Sequence, residues 1–139
     1  MERIKEDERD SPMHDVPIEA RARAYLAGTL TLADLCALER AELYELAEHG
    51  RRVGGQGQLA DAQQIFEALV VLDPYDPFFH TALGAVYTQR GDEERALREY
   101  DRALAIDNGH LPALVNQAEL FVGQQRWEDV TRNLTRVFA

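Results

Sequence analysis

Shifted against itself by 34 residues, the chain falls back onto its own pattern, and that period constrains its fold more than any other feature. Gly50, Gly57, Ala62, Phe66, Asp73 and Pro74 land on Gly84, Gly91, Ala96, Tyr100, Asp107 and Asn108. A third copy puts Ala118, Phe121, Val130, Leu134 and Val137 at the places of Gly84, Tyr87, Ala96, Tyr100 and Ala103. A unit this short cannot bury its own apolar face alone, so successive units have to stack into one continuous core.

The spacing of small and aromatic residues within each copy has a mechanical reading, and it is the tetratricopeptide signature. Gly84 and Ala96 stand where two antiparallel helices approach closely, and Tyr87 and Tyr100 fill the space around that contact. Gly91 ends the first helix of the middle copy by accepting a left-handed conformation. Asp92 is placed to cap the next helix, with Glu93 and Glu94 favourable in its first turn. Asp76-Pro77 starts the helix before it, an N-cap followed by proline at the first helical position. The expected fold class is all-α: a superhelix of three tetratricopeptide repeats (43–76, 77–110 and 111–139) behind an N-terminal helical segment at 16–42. Residues 1–15 read as a disordered charged tail. Helices are expected near 17–27, 31–37, 40–54, 58–72, 77–89, 93–106, 111–123 and 127–138. In the last, Trp127, Val130, Leu134, Val137 and Phe138 share one face, and Glu128, Asp129, Arg132, Asn133 and Arg136 form a polar outer face that closes the array.

Charge narrows the partners. Acidic residues outnumber basic ones 25 to 15 over 139 residues, a net charge of −10, which disfavours nucleic acid and anionic membrane surfaces. No apolar run approaches the roughly 20 residues of a membrane span, no secretory signal pattern opens the chain, and Cys36 is the only cysteine. These features point to the cytoplasm.

Candidate chemistry is sparse. "GGQG" (Gly54 to Gly57) lacks the preceding strand and following lysine of a phosphate loop and reads as an interhelical turn. His14, His49, His80 and His110 never pair at helical ligand spacing, which makes them surface or groove residues and leaves no metal site. Glu39, Glu42, Glu45 and Glu48, with Asp92, Glu93, Glu94 and Glu99, read as solvated helix faces. Cys36 falls on an apolar stripe with Leu32, Leu35 and Leu38, as a packed thiol. Ser11, the only serine, lies in the charged tail, away from any triad partner. No enzyme activity and no cofactor are expected.

A stacked array of this kind offers a concave surface lined by the first helix of each repeat. Positions 2, 5, 9 and 12 select Tyr44, Ala47, Arg51 and Gly54; Phe78, Thr81, Ala85 and Thr88; Pro112, Val115, Glu119 and Val122. The set mixes small, aromatic and apolar groups with few charges, which suits an extended peptide carrying hydrophobic anchors.

Several stretches also resemble one family. They are "GTLTLADL" (Gly28, Thr31, Leu32, Ala33 and Leu35), "LYELA" (Leu43 to Ala47), Ala62 to Asp73, "FFHTALGA" (Phe78 to Ala85) and the "AEL" of Ala118 to Leu120. Together they resemble the class II chaperones of bacterial type III secretion, the LcrH/SycD/IpgC-like group. The resemblance implies a cytoplasmic chaperone that keeps hydrophobic translocator proteins soluble before export, a short client segment lying extended in the groove. It implies peptide-binding roles for Tyr44, Phe78, Thr81, Ala85, Val115 and Glu119, with Arg51 standing where the family often has an aromatic residue, and the position count adds Ala47, Arg51 and Thr88 to the expected peptide-binding set. It also implies self-association through an N-terminal face of Val16, Ile18, Ala22, Tyr25 and Leu26, for which a cap on the first repeat is the alternative. A needle-subunit co-chaperone and a tetratricopeptide scaffold are the alternative functions.

Overall fold

Each expected helix is present, with ends displaced by a few residues at most. The computed structural model describes residues 13–139. Most of the expected charged tail therefore lies outside the described residues, while its last part, Met13–Asp15, forms a 3-10 turn. The helices are α1 (Ile18–Leu26), α2 (Leu32–Leu35), α3 (Arg40–Gly55), α4 (Leu59–Leu72), α5 (Pro77–Gln89), α6 (Glu93–Ile106), α7 (Leu111–Gly123) and α8 (Trp127–Val137), with no strand among the described residues. Helices α3–α4, α5–α6 and α7–α8 are the three antiparallel pairs of a tetratricopeptide array.

The turns follow from the residues that make them. Asp76 Oδ1 accepts the Phe78 N–H at 2.9 Å, and Pro77 follows at the first turn, where a missing N–H costs nothing. At the other end of α5, Gly91 takes φ +79, and the Asp92 N–H returns to the Tyr87 carbonyl at 2.9 Å. Asp92 then caps α6 by accepting the Arg95 N–H at 3.1 Å.

Within the middle pair the close approach is tight. A Cβ built on Gly84 would stand 2.6 Å from Cε1 of Tyr100, so only glycine fits. Tyr100, Phe79, Leu69, Leu83 and Leu114 are the largest fully buried side chains, and one core cluster runs from Ala33 to Leu120 through all three pairs. Polar ties reinforce the stacking between repeats: Arg90 Nη1 donates to Gln63 Oε1 at 2.8 Å, and Gln117 Nε2 to Asp101 Oδ1 at 2.7 Å.

Three expectations about the ends are corrected. Helix α2 is a single turn, held by a capping box between Thr31 and Asp34 and broken where Ala37 adopts φ +56. That reversal leaves Cys36 exposed instead of packed on the apolar stripe. Helix α8 is rotated relative to the expected orientation. Its buried residue is Asn133, whose Nδ2 donates to the Leu114 carbonyl at 3.3 Å and to Gln117 Oε1 at 2.9 Å. With that amide satisfied inside, Trp127, Leu134 and Phe138 are left exposed, so the outer side of α8 is not uniformly polar. Helix α1 buries no residue and packs on α2, tied there by Arg21, whose Nη1 donates to the Leu35 carbonyl at 2.7 Å.

Candidate functional site

The first helices of neighbouring repeats touch one another, α3 with α5 and α5 with α7, whereas the second helices α4, α6 and α8 pack less closely together. The stack therefore curves with α3, α5 and α7 on its inner, concave side. This face carries exposed apolar side chains from two repeats: Phe78 is 53% exposed, Val115 41% and Val122 46%. Pro112 and Glu119 are exposed beside them on α7, and Tyr44, Ala47, Gly54, Ala85 and Thr88 are half-buried.

Not every expected lining residue presents a surface. Thr81 is buried, and its hydroxyl donates to the Pro77 carbonyl at 2.8 Å, so it belongs to the helix packing and not to the lining. The Thr88 hydroxyl donates to the Gly84 carbonyl at 2.9 Å and lies 3.1 Å from the Tyr100 hydroxyl, which turns its polar end inward. Arg51 is exposed but folds along its own helix onto Glu48.

A second periodicity appears along the edge of this face. Residue 2 of each repeat meets the N-cap residue of the next, and both members recur at 34-residue spacing, Tyr44 to Phe78 and Asp76 to His110. At the first step, the Tyr44 hydroxyl donates to Asp76 Oδ2 at 2.5 Å. The Arg40 guanidinium lies 5.4 Å from the centre of the Tyr44 ring and 3.7 Å from the same carboxylate. Burial and the adjacent Asp76 carboxylate together hold the Tyr44 hydroxyl in its protonated form, its pKa raised. At the second step, Phe78 meets the His110 ring edge-to-face with centroids 4.6 Å apart. His110 is 5% exposed, and burial lowers its pKa despite the nearby carboxylates of Asp107 and Asp76. Its Nε2 has no hydrogen-bond partner among the described residues.

Beneath the face lies a buried ion pair, which corrects two expectations. His80 and Glu99 are both buried, not solvated: His80 Nδ1 lies 2.8 Å from Glu99 Oε2, and Nε2 lies 2.7 Å from the Pro74 carbonyl. Both contacts are acceptors, so both ring nitrogens carry protons and the ring is the imidazolium. Burial alone would lower its pKa, but the bonds to Glu99 and Pro74 outweigh burial and raise it. Arg102 closes the pair from outside by bonding the other Glu99 oxygen. The pair joins the α4–α5 turn, α5 and α6, and so fixes the angle at which α5 presents Phe78. A signal for it lay in the repeat itself: Leu46 and Leu114 hold the places equivalent to His80, and a histidine at a leucine position needs buried partners.

Among the described residues no three His, Cys, Asp or Glu side chains come together as a metal-ligand set. A shallow depression of about 450 Å³ lies at the α3–α4 turn, lined by Gly57 to Asp61 and Arg90, away from the concave face and without a nucleophile–base pair. No described helix is long and apolar enough to cross a membrane. Of the expected self-association face, Ile18, Tyr25 and Leu26 are exposed, and Val16 and Ala22 are half-buried.

No family model matches the chain. In fold it superposes on the type III secretion translocator chaperone SycD of Yersinia enterocolitica with a TM-score of 0.72 at 25% identity, covering 76% of this chain and 79% of that one. PcrH, solved in complex with the chaperone-binding region of PopD, matches with a TM-score of 0.64 at 27% identity, over 71% of this chain and 74% of that one. The chain resembles the class II translocator chaperones of type III secretion. Both translocator chaperones share its helical tetratricopeptide architecture. A curated relative of another kind, the cellulose synthase operon protein C of Xanthomonas axonopodis pv. citri (strain 306), is 32% identical over 101 residues. The chain spans only 7% of that protein's length.

Proposed function

We propose that the chain is a non-enzymatic chaperone that takes an extended segment of a hydrophobic translocator protein across α3, α5 and α7 and keeps that client soluble in the cytoplasm until export. The observation that carries this reading is the exposed apolar set Phe78, Val115 and Val122 on the concave face of a fold shared with chaperones solved in complex with translocator segments. Anchoring by a few pockets on such a face, rather than by total area, would supply most of the affinity. Tyr44, Ala47, Arg51, Ala85, Thr88 and Glu119 complete the lining. Ile18, Tyr25 and Leu26 on α1 are the contact through which two copies associate.

Co-expression with hydrophobic translocator proteins of type III secretion tests the reading. A soluble complex is expected, lost in Ala85→Glu and weakened in Phe78→Ala, with the helical signal of the chain retained in both. Co-purification unchanged by Ala85→Glu would reject the groove. The similarity to a segment of a cellulose synthase operon protein favours a second reading, a tetratricopeptide scaffold. A scaffold forms a specific complex without altering client aggregation. A needle-subunit co-chaperone would instead hold its client as a helix.

A further inference from the structure

Comparison of the two N-cap contacts on the concave face shows one that is complete and one that is not. Asp76 is saturated: it accepts from the Phe78 N–H and the Tyr44 hydroxyl and lies beside the Arg40 guanidinium. His110 holds the equivalent place one repeat later, but the residue facing it is Phe78, which has no hydroxyl to offer. The result is a buried imidazole nitrogen without a partner, in a ring that packs edge-to-face with a side chain that is itself half open to solvent. A buried polar atom left unpaired costs on the order of 1–3 kcal/mol and is rare in folded proteins. Phe78 is a residue that an extended segment crossing from α5 to α7 would pass over.

We propose that His110 is a specificity-determining residue of the groove, its Nε2 hydrogen-bonding the backbone of the bound segment where that segment displaces or tilts Phe78. This inference rests on the groove reading above. A neutral imidazole either donates or accepts through Nε2, according to its tautomer, and an extended chain presents a carbonyl or an amide at every residue. The contact would fix the register of the segment, because its apolar anchors have to seat on Val115 and Val122 while one backbone group reaches the ring. Phe78 alone would supply apolar area without register.

The test uses the full chain and a displayed random library of peptides about 12 residues long. The strongest peptide retained by the wild type is then made with single amide-to-ester replacements along its backbone. One replacement is expected to weaken wild-type binding about fivefold to tenfold, the range of one net hydrogen bond. In His110→Phe, which keeps a ring of similar shape, that same replacement is expected to have no effect, while His110→Gln retains part of the sensitivity. Melting temperatures and helical signal of both variants control for folding. If His110→Phe binds the parent peptide within about twofold of wild type, or if every ester costs the same in both proteins, the assignment is overturned and the groove stands. If the folded wild type retains no peptide at all, the groove reading falls and the assignment falls with it.

Discussion

The first and middle repeats place different chemistry at the same pair of positions. In the first, the fourth residue of the repeat and its counterpart on the second helix are Leu46 and Ile65, both packed against the apolar core. In the middle repeat the equivalent residues are His80 and Glu99, a buried ion pair whose histidine also reaches the Pro74 carbonyl. The third repeat offers an intermediate solution, Leu114 with Asn133, joined through a side-chain amide and a backbone carbonyl. The repeat period thus fixes where helices meet, and leaves open whether the meeting is apolar, polar or ionic. What the ion pair adds is reach: it fastens a turn from the preceding repeat to both helices of its own. An apolar pair would also fill the space, but it could not hold that carbonyl.

Breaking the pair by halves is expected to have the largest effect. Glu99→Ala leaves a buried histidine without its carboxylate and should lower unfolding stability by about 3 kcal/mol in urea denaturation. Transplanting the first repeat's solution, His80→Leu with Glu99→Ile, should bring stability back to within about 1 kcal/mol of wild type, the remainder reflecting the orphaned Pro74 carbonyl. A double variant as unstable as Glu99→Ala would mean that the two repeats are not interchangeable at this site.

The helix crossing gives a second comparison. A methyl on Gly84 would meet the buried ring of Tyr100 at 2.6 Å, whereas one on Gly50 would meet the Ile65 Cγ2 at 2.9 Å and the buried Phe66 ring at 3.0 Å. Gly84→Ala is expected to cost about 2–3 kcal/mol, and Gly50→Ala less, since the overlap with its neighbours is shallower. Matched thermal melts of the two variants decide the order.

The smallest effect is the pH dependence. The folded pKa of His80 is raised, so its contribution is fully present below the unfolded histidine value of about 6.5 and is lost as pH rises through the folded value. The stability difference between wild type and the double variant carrying His80→Leu and Glu99→Ile should therefore move against wild type as pH rises from neutral to mildly alkaline. A difference that stays flat across that range would mean that His80 is not the imidazolium.

Most of the fold was legible because a tetratricopeptide array is built from local rules repeated three times. Asp76-Pro77, Gly91 and Asp92 each announce a helix boundary within a few residues, and the structure places caps there. Residues whose fate depends on contacts outside their own helix were less legible. Thr81 sits at a lining position by count, yet its hydroxyl turns to Pro77 and the side chain is buried. Asn133 looked like an outer residue because amides usually are, and the partners that pull it inward, Leu114 and Gln117, are 16 to 19 residues away in sequence. Cys36 followed an apolar stripe that ends when Ala37 reverses the backbone. The incomplete contact of His110 emerges only when one repeat is laid over the next and a hydroxyl present at Tyr44 is found missing at Phe78.

The central claim, that the concave face of α3, α5 and α7 receives a client segment, is tested most directly by backbone hydrogen exchange on the chain with and without a co-purified client. The account predicts new protection concentrated in α3, α5 and α7, centred on Phe78, Ala85 and Val115, with α4 and α6 little changed. Protection confined to α1, or to the exposed side of α8 around Trp127, Leu134 and Phe138, would contradict it.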